Sequence, residues 1–414
     1  MESAISTILI VGAGQAGSQA VDTLRRQGFG GRLVLIGDEA ELPYQRPPLS
    51  KKYLSGELAQ DRLLLRHRAF YEEHRTELLL GSRAIRLDRG TRSVTLANAA
   101  QLSYDRLLLC LGAHSRRLTC PGHELAGVHY LRDLADAAAL RAALTPSARV
   151  VIIGGGYIGL ETAATCRKQG CTVTVLEMAD RVMNRVVAPD VSAYFAEDHR
   201  AQGVEIVCGT RVVGIEREQG TAGHGASHLS VACAHGVAYP ADIVVVGVGA
   251  IATTDLAQHA GLACDNGITV DEHCRTSDPA IFAAGDCTNQ YSPHYGRRMR
   301  LESVDNAFEQ GKTAAQNLLG ESHVHDRIPW FWSDQFENKL LIVGIAQGAD
   351  EVVLRGDPAS RSFSVCYLKD RELLAVEAIN HSKDYMAGRK LIAERARLNP
   401  NKVRDPQVAL KDAV

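Results

Sequence analysis

Val150-Val-Ile-Ile-Gly-Gly-Gly-Tyr-Ile-Gly-Leu-Glu161 carries the pattern from which the architecture of the chain follows. Four β-formers run into Gly154, Gly156 and Gly159 at G-x-G-x-x-G spacing, and a helix-like stretch follows to Gly170. Such a turn brings backbone N–H groups and a helix N-terminus up to a pyrophosphate, because only glycine lets the backbone come so close. Tyr157 and Ile158 fill the gap before the third glycine and belong to the same binding turn. The strand expected at 171–176 ends at Glu177, 21 residues beyond Gly156. A carboxylate there can hold the adenosine ribose hydroxyls of NAD and would repel the 2′-phosphate of NADP. Glu161 follows the last glycine, and the spacing places it in the first helical turn, where the dipole favours negative charge. Arg181 and Arg185 come after Glu177 and are read as serving the pyrophosphate or the surface.

A lone fingerprint is weak, but the same grammar opens the chain. Residues 8–11 read as a strand, Gly12-Ala13-Gly14-Gln15-Ala16-Gly17 as the turn, 18–27 as a helix and 33–36 as the second strand. Asp38 lies 24 residues after Gly14, close to the spacing a ribose-binding acid needs. Two complete fingerprints imply two dinucleotides, FAD in the first and NAD in the second, with hydride transfer between them. The expected fold class is therefore α/β, with two Rossmann-like dinucleotide-binding domains.

Composition sets the bounds. A chain of 414 residues has room for two or three domains, and 23% charged with 45% hydrophobic residues is ordinary for a globular protein. The net charge of −2 exerts no global pull toward nucleic acid or membrane. No apolar run approaches the ~20 residues of a membrane span. The first apolar stretch runs straight into a glycine turn, so it reads as a strand and not a signal peptide. The 10 cysteines are scattered without C-x-x-C spacing, which points to reduced thiols and a cytoplasmic location. Cys166 and Cys171 are read as packing residues. The histidines of the 220–228 stretch, read as a solvent-exposed hairpin turn, lack metal-ligand spacing. Neither a metal nor a nucleophile is expected.

Pro43-Tyr-Gln-Arg-Pro-Pro-Leu-Ser-Lys51 contains two adjacent prolines that stiffen a loop, and Lys51 is expected to open a helix. From the residues alone, an ordinary helix-entry loop with a solvated lysine is the favoured reading. Together with the twin fingerprints and Trp330-Phe-Trp-Ser-Asp-Gln335, this loop resembles the FAD-dependent, NADH-using ferredoxin reductases of oxygenase systems. These are enzymes of the putidaredoxin reductase kind with a glutathione-reductase-like fold, and the resemblance covers essentially the whole chain. It implies that Arg46, Pro47, Pro48 and Lys51 lie along the flavin, with Lys51 near N5, where a cation stabilises the anionic reduced ring. It implies a backbone contact from Ala84 to the adenine and a role for Arg132 on the FAD phosphates or adenine side. It places Glu161 beside the nicotinamide, paired with Lys51 across a domain boundary. The segment Thr276-Ser-Asp-Pro-Ala-Ile-Phe-Ala-Ala-Gly-Asp286 resembles a second FAD signature that delivers Asp286 to the ribityl hydroxyls. Glu302-Ser-Val-Asp-Asn-Ala-Phe-Glu-Gln310 would open a helix that aims its N-terminus at the flavin pyrimidine ring, with Val304 among the cofactor contacts, and Trp332 would cover the flavin edge.

The chain departs from the family pattern at three places. Cys110-Leu111 stands for the usual Ala-Thr, Ala250-Ile-Ala-Thr-Thr254 lacks the usual Pro and Asn, and Asp305 stands where Pro is frequent. An acid near the reduced flavin is expected to lower its potential. The expected domains are a discontinuous FAD-binding domain (1–112 and 244–320), an NAD-binding domain (113–243) and a C-terminal α+β domain (321–414). The strand at 243–249 is expected to return to the FAD domain. The C-terminal sheet is expected from strands at 340–343, 351–355, 362–368 and 372–378, followed by a helix at 382–397.

The activity implied by the resemblance takes hydride from NADH onto FAD and passes single electrons to a 2Fe–2S ferredoxin feeding a monooxygenase or Rieske dioxygenase. A nicotinamide gives two electrons at once and the iron–sulfur centre accepts one, so the flavin is the converter. Arg297, Arg298, Arg300, Lys312 and Lys339 are candidates for a basic patch that docks an acidic ferredoxin; an ordinary solvated surface fits these residues equally. The chain is expected to act as a monomer or weak dimer. Competing readings keep the fold but change the acceptor to rubredoxin, oxygen or quinone, or make the protein a non-enzymatic flavoprotein of the apoptosis-inducing-factor kind. A disulfide reductase or a single-cysteine oxidase would need a cysteine in the first βαβ unit, and none precedes Cys110.

Overall fold

The computed structural model describes residues 5–218 and 228–414; the expected turn at 220–228 lies outside them except for His228. The chain divides into two compact units. One comprises the chain up to Gln45, Gln60–His114 and Ile251–Pro329; the other comprises Arg46–Ala59, Ser115–Ala250 and Trp330–Val414.

The first unit is built on a five-stranded parallel sheet in the order Ile281–Ala283, Arg106–Leu109, Thr7–Val11, Arg32–Ile36, Thr76–Leu79. The central strand buries Ile8, Leu9 and Ile10 completely, which is why it is an unbroken apolar run: a parallel sheet is covered on both faces. One face packs on the helices Gln15–Arg26 and Val304–Leu318. Gly311 lets these helices meet at backbone distance, since a Cβ there would stand 2.5 Å from the Ala16 carbonyl oxygen. The other face packs on a three-stranded antiparallel sheet, Ala84–Asp88, Ser93–Leu96 and Gln101–Ser103, through Leu87, Val94 and Leu96.

The second unit repeats the motif with the order Val204–Val207, Thr172–Leu176, Arg149–Ile153, Ile243–Val246, Val128–Tyr130, all parallel. This corrects the expectation for 243–249. Ile243–Val246 stays in the second unit, with Val150 opposite Ile243, because its four buried apolar residues suit an interior strand between Arg149–Ile153 and Val128–Tyr130. The C-terminal portion is a five-stranded antiparallel sheet ordered Trp330–Gln335, Asn338–Gly344, Glu372–Ile379, Phe363–Lys369, Glu351–Arg355. Four of these match the expected strands; Trp330–Gln335 is a fifth, at the edge. The helix Ser382–Ala393 stops before 397, where Arg395 turns to φ 50°. Asn399 then caps a short new helix, Pro400–Arg404. Both sheets share one core, which includes Val150, Ile152 and Val173 of the one and Leu340, Phe363 and Val365 of the other; from the helix Pro189–Ala201, the Tyr194 ring lies 5.1 Å from that of Phe363.

Pro47–Ser50 forms a 3₁₀ turn, and Lys51 (φ −124°, ψ −113°) ends it and does not open a helix. Proline's fixed φ suits the first positions of such a turn, and Lys51 leaves the helical region at once.

Candidate functional site

The two glycine turns divide their labour in the same way. Gly12 has φ 116°, and a Cβ on it would stand 2.0 Å from the Cys110 carbonyl oxygen; on Gly17 it would stand 2.1 Å from that of Gly12. In the second unit a Cβ on Gly154 would stand 2.4 Å from the Gly247 oxygen, and one on Gly159 2.1 Å from that of Gly154. These four are therefore glycine because the chain packs against itself. Gly14 and Gly156 meet nothing within 4 Å and have ordinary negative φ, so nothing in the chain requires glycine at either. What such a residue leaves open is the approach to a helix N-terminus. Both helices, Gln15–Arg26 and Tyr157–Lys168, have glycine N-caps with no side-chain acceptor and no acid in the first turn. An external anion can fill that role, so both turns fit a dinucleotide pyrophosphate. Ala13, Gln15 and Ala16 line the first turn, Tyr157 and Ile158 the second, with Ile158 exposed.

The two acids expected to meet a ribose differ in their settings. Glu177 directly follows Leu176; its Oε2 accepts from Gly155 N at 2.7 Å and its Oε1 from Ala179 N at 2.8 Å. Its carboxylate is thus held against the second turn. By sheet register the matching position in the first unit is Gly37, which follows Ile36 as Glu177 follows Leu176. A Cβ on Gly37 would come within 2.7 Å of the Ala13 Cβ, so the acid falls one residue later, at the exposed Asp38. Arg181 donates to the Val187 and Asn184 carbonyls at 3.0 and 2.9 Å; it closes its own loop.

Glu161 is held at both carboxylate oxygens. The helix starts at Tyr157, before the third glycine, so Glu161 lies in the second turn and the capping reading fails. It is 3% exposed, and its Oε2 accepts from Lys51 Nζ and Ser50 Oγ, each at 2.6 Å, while its Oε1 accepts from Ser333 Oγ at 2.8 Å. The Lys51 turn is further tied to this helix by Thr165 Oγ1 donating to the Ser50 carbonyl (2.8 Å) and Gln169 Nε2 to that of Leu54 (3.1 Å). The expected Lys51–Glu161 pair therefore exists, within one compact unit. Arg46 and Arg132 also meet there: Arg46 Nη1 donates to the Arg132 carbonyl at 2.9 Å, beside the Asp133–Asp136 capping box.

Trp330–Gln335 presents two faces. Trp332 lies 5.5 Å from Trp330, ring to ring, on one face. On the other, Phe331 sits 4.7 Å from the Tyr157 ring and Ser333 reaches Glu161. In the first unit, Asp286 follows Ile281–Ala283 through Gly285 (φ 85°), whose N–H donates to Gln310 Oε1 at 2.8 Å. Val304 opens its helix behind Ser303, whose Oγ accepts from Asn306 N at 3.1 Å, with Asp305 in the first turn. Ala84 begins its strand opposite Leu96. The stretch after Ala250 lacks Pro and Asn yet still turns into the helix Asp255–His259. Ser50, Ser333, Gln335 and Gln310 join these residues without a sequence signature of their own. The first three stand inside motifs quoted for other residues, and strand alternation through Trp332 was the signal for Ser333 and Gln335.

Of the candidate basic patch, Arg298 Nη1 is engaged by the Val270 and Asn289 carbonyls at 2.8 and 3.1 Å, and Arg300 pairs with Glu302. Lys312 is exposed on the Val304–Leu318 helix, and Lys339 belongs to the second unit. All ten cysteines are free. Burial pushes the thiols of Cys166 and Cys287 up to about 12, which keeps them inert. His228 is partly exposed but bonded, its Nδ1 lying 2.8 Å from Asp242. Among the described residues no group of three or more His, Cys, Asp or Glu could hold a metal, and no helix is long and apolar enough to cross a membrane.

Residues 6–311 match the model of the family described as pyridine nucleotide-disulphide oxidoreductase, and 330–414 match that described as reductase C-terminal. The chain is 42% identical over 409 residues to the 5,5′-dehydrodivanillate O-demethylase ferredoxin reductase subunit of Sphingobium sp., covering 98% of this chain and 97% of that protein. It is 40% identical over 415 residues to putidaredoxin reductase of Pseudomonas putida, covering 100% and 97%. Among solved structures, a chain of the covalent putidaredoxin reductase–putidaredoxin complex superposes with a TM-score of 0.94 at 40% identity, over 99% of this chain and 98% of that one.

Proposed function

Because the chain belongs to the pyridine nucleotide-disulphide oxidoreductase family, we propose that it is an NADH-dependent ferredoxin reductase that serves an oxygenase system. The observation that carries the reading is the pair of uncapped fingerprint helices, each with a middle glycine that its own fold does not need. Bound FAD would supply the conversion between a two-electron donor and a one-electron acceptor. The remaining work falls to side chains and backbone.

In the first unit, Gly12–Gln15 and Ala16 offer N–H groups to the FAD pyrophosphate, Asp38 accepts from its ribose, and Asp286 accepts from the ribityl chain. Ala84 offers its backbone to the adenine, and Val304 opens the helix directed at the ring. In the second unit, Gly154, Gly156, Tyr157, Ile158 and Gly159 take the NAD pyrophosphate, and Glu177, already fixed by Gly155 and Ala179, accepts from the ribose. Arg46, Arg132 and Trp332 belong to the FAD side of the reading. Lys51 supplies a fixed positive charge for the reduced ring, and Glu161 holds the lysine and orients the nicotinamide. We read the FAD-binding portion as 1–112 and 244–320 less Arg46–Ala59 and the strand Ile243–Val246, both of which belong to the second unit, the NAD-binding portion as 113–243 with that strand, and 321–414 as the C-terminal domain. The names of the relatives support a 2Fe–2S ferredoxin as acceptor, and free thiols suit a cytoplasmic setting.

Purified protein should be yellow, with ~1 FAD per chain, and NADH should reduce a 2Fe–2S ferredoxin in its presence. A preparation that refuses FAD, or one that is bleached by NADH but reduces only oxygen or quinones, would sink the proposal.

A further inference from the structure

Glu161 terminates a hydrogen-bond chain that starts elsewhere in the second unit and runs in one direction. His199, on the helix Pro189–Ala201, is fully buried, and its Nε2 lies 2.9 Å from Gln335 Oε1. Gln335 Nε2 donates to Ser333 Oγ at 3.1 Å and approaches the Met183 sulfur at 3.8 Å. Ser333 Oγ lies 2.8 Å from Glu161 Oε1. The amide nitrogen of Gln335 can only donate, so its oxygen must accept and His199 must carry its proton on Nε2. That tautomer agrees with His199 Nδ1, a buried atom without a partner. The Ser333 oxygen already accepts from Gln335, so its single proton points at Glu161. Ser333 and Gln335 are both 0% exposed, so no water competes for these bonds.

We propose that Ser333 and Gln335 are positioning residues for the Lys51–Glu161 pair: their directed chain holds Glu161 Oε1, leaving Oε2 to Ser50 and Lys51. The inference rests on the assignment of Lys51 and Glu161 to the site of electron exchange. Its physical content is a distribution of charge. With a donor on each oxygen, the carboxylate shares its charge between Ser333 and the Lys51–Ser50 side. Without the Ser333 hydroxyl, Oε1 is left buried and unsatisfied, a costly state. The carboxylate then turns further onto Lys51 and neutralises the cation that the reduced ring needs. Ser333 and Gln335, two residues of the C-terminal sheet, would in this way tune through Glu161 the charge carried by Lys51 at the end of the Pro47–Ser50 turn.

The test compares Ser333→Ala, Gln335→Met and Glu161→Gln as FAD-loaded proteins. Three quantities are measured: FAD content, the flavin midpoint potential by dye equilibration, and flavin bleaching by NADH in stopped flow. Ser333→Ala should retain FAD, shift the potential downward and slow bleaching roughly tenfold, the scale of one hydrogen bond to a charged group. A tenfold change in the two-electron equilibrium corresponds to about 30 mV. Gln335→Met keeps the volume beside Met183 and should shift both quantities the same way by less, since Ser333 is then free to turn. If Ser333→Ala does not fold, Gln335→Met decides alone. An unmoved potential and rate in the serine variant, with Glu161→Gln slowed, overturns the positioning role and leaves the assignment of Glu161 standing. If Glu161→Gln itself bleaches normally, the assignment falls and the inference falls with it.

Discussion

At the scale of single residues, glycine has two different meanings in the same motif. Gly12 and Gly154 are fixed by backbone contacts that a Cβ would violate by an ångström or more, whereas Gly14 and Gly156 are bordered by open space. Gly154→Ala should therefore lower stability by several kcal/mol, as overpacking and a left-handed φ combine, to ~3 kcal/mol or more. Gly156→Ala should fold with nearly unchanged melting temperature but lose NADH affinity. If the two variants melt alike, this division is wrong. Glu177 carries a separate expectation. Its two oxygens are held by Gly155 N and Ala179 N, which glutamine can match only in part. Glu177→Gln should cost NADH affinity and narrow the preference over NADPH by roughly 10-fold, the worth of a charge-assisted hydrogen bond. Unchanged selectivity in the ratio of the two kcat/KM values would remove Glu177 from that role.

At the scale of elements, the edge strand Trp330–Gln335 is the informative case. Its pleat sends Trp330 and Trp332 to one side and Phe331, Ser333 and Gln335 to the other, so one hexapeptide serves two surfaces. The hairpin Thr288–Ser292 with Arg297–Met299 also reads differently as an element than as a run of charges. Arg298 braces it through the Val270 and Asn289 carbonyls, so reversing Arg298 would disturb the hairpin as well as any docking face. Lys312, exposed on the helix Val304–Leu318, is the cleaner probe. Lys312→Glu should slow ferredoxin reduction several-fold at low salt, less at high salt, while NADH-driven ferricyanide reduction is unchanged. A loss of both activities together would place Lys312 in the fold or the cofactor sites instead.

At the scale of the molecule, the C-terminal sheet is tied to the NAD-binding portion through a buried acid as well as through apolar packing. Glu377 is 1% exposed; it accepts from Ala188 N at 3.0 Å and from the Tyr367 hydroxyl at 2.7 Å. Burial raises its carboxyl from 4.5 to about 7, with the Ala188 and Tyr367 donors and Arg181 opposing the rise. A raised carboxyl means that the folded chain holds a proton the unfolded chain releases. Its stabilising contribution is complete below about pH 4.5 and is lost as pH rises through about 7, an effect on the order of 3 kcal/mol. Melting temperature should therefore fall between pH 5 and pH 7.5 in the native protein relative to Glu377→Gln, and the difference should level off at higher pH. A difference that does not change with pH would show that Glu377 does not titrate in this window.

Features written in local periodicity are legible along the chain. Both glycine turns, the strands and helices around them, four of the five C-terminal strands and the acid at Glu177 follow from short-range spacing. The backbone needs of a pyrophosphate turn and of a pleated strand are met within a few residues. The tertiary structure alone decided which elements share a sheet, and it moved Ile243–Val246 from the first unit into the second. It decided that Lys51 ends a turn, that Glu161 lies beyond the helix dipole's reach, and that Asp38 is displaced one residue because Gly37 abuts Ala13. It also decided the partners of Glu161: Ser50, Lys51 and Ser333 come from segments over a hundred residues away. A buried carboxylate must find its donors wherever packing brings them, and no period in the chain encodes that meeting.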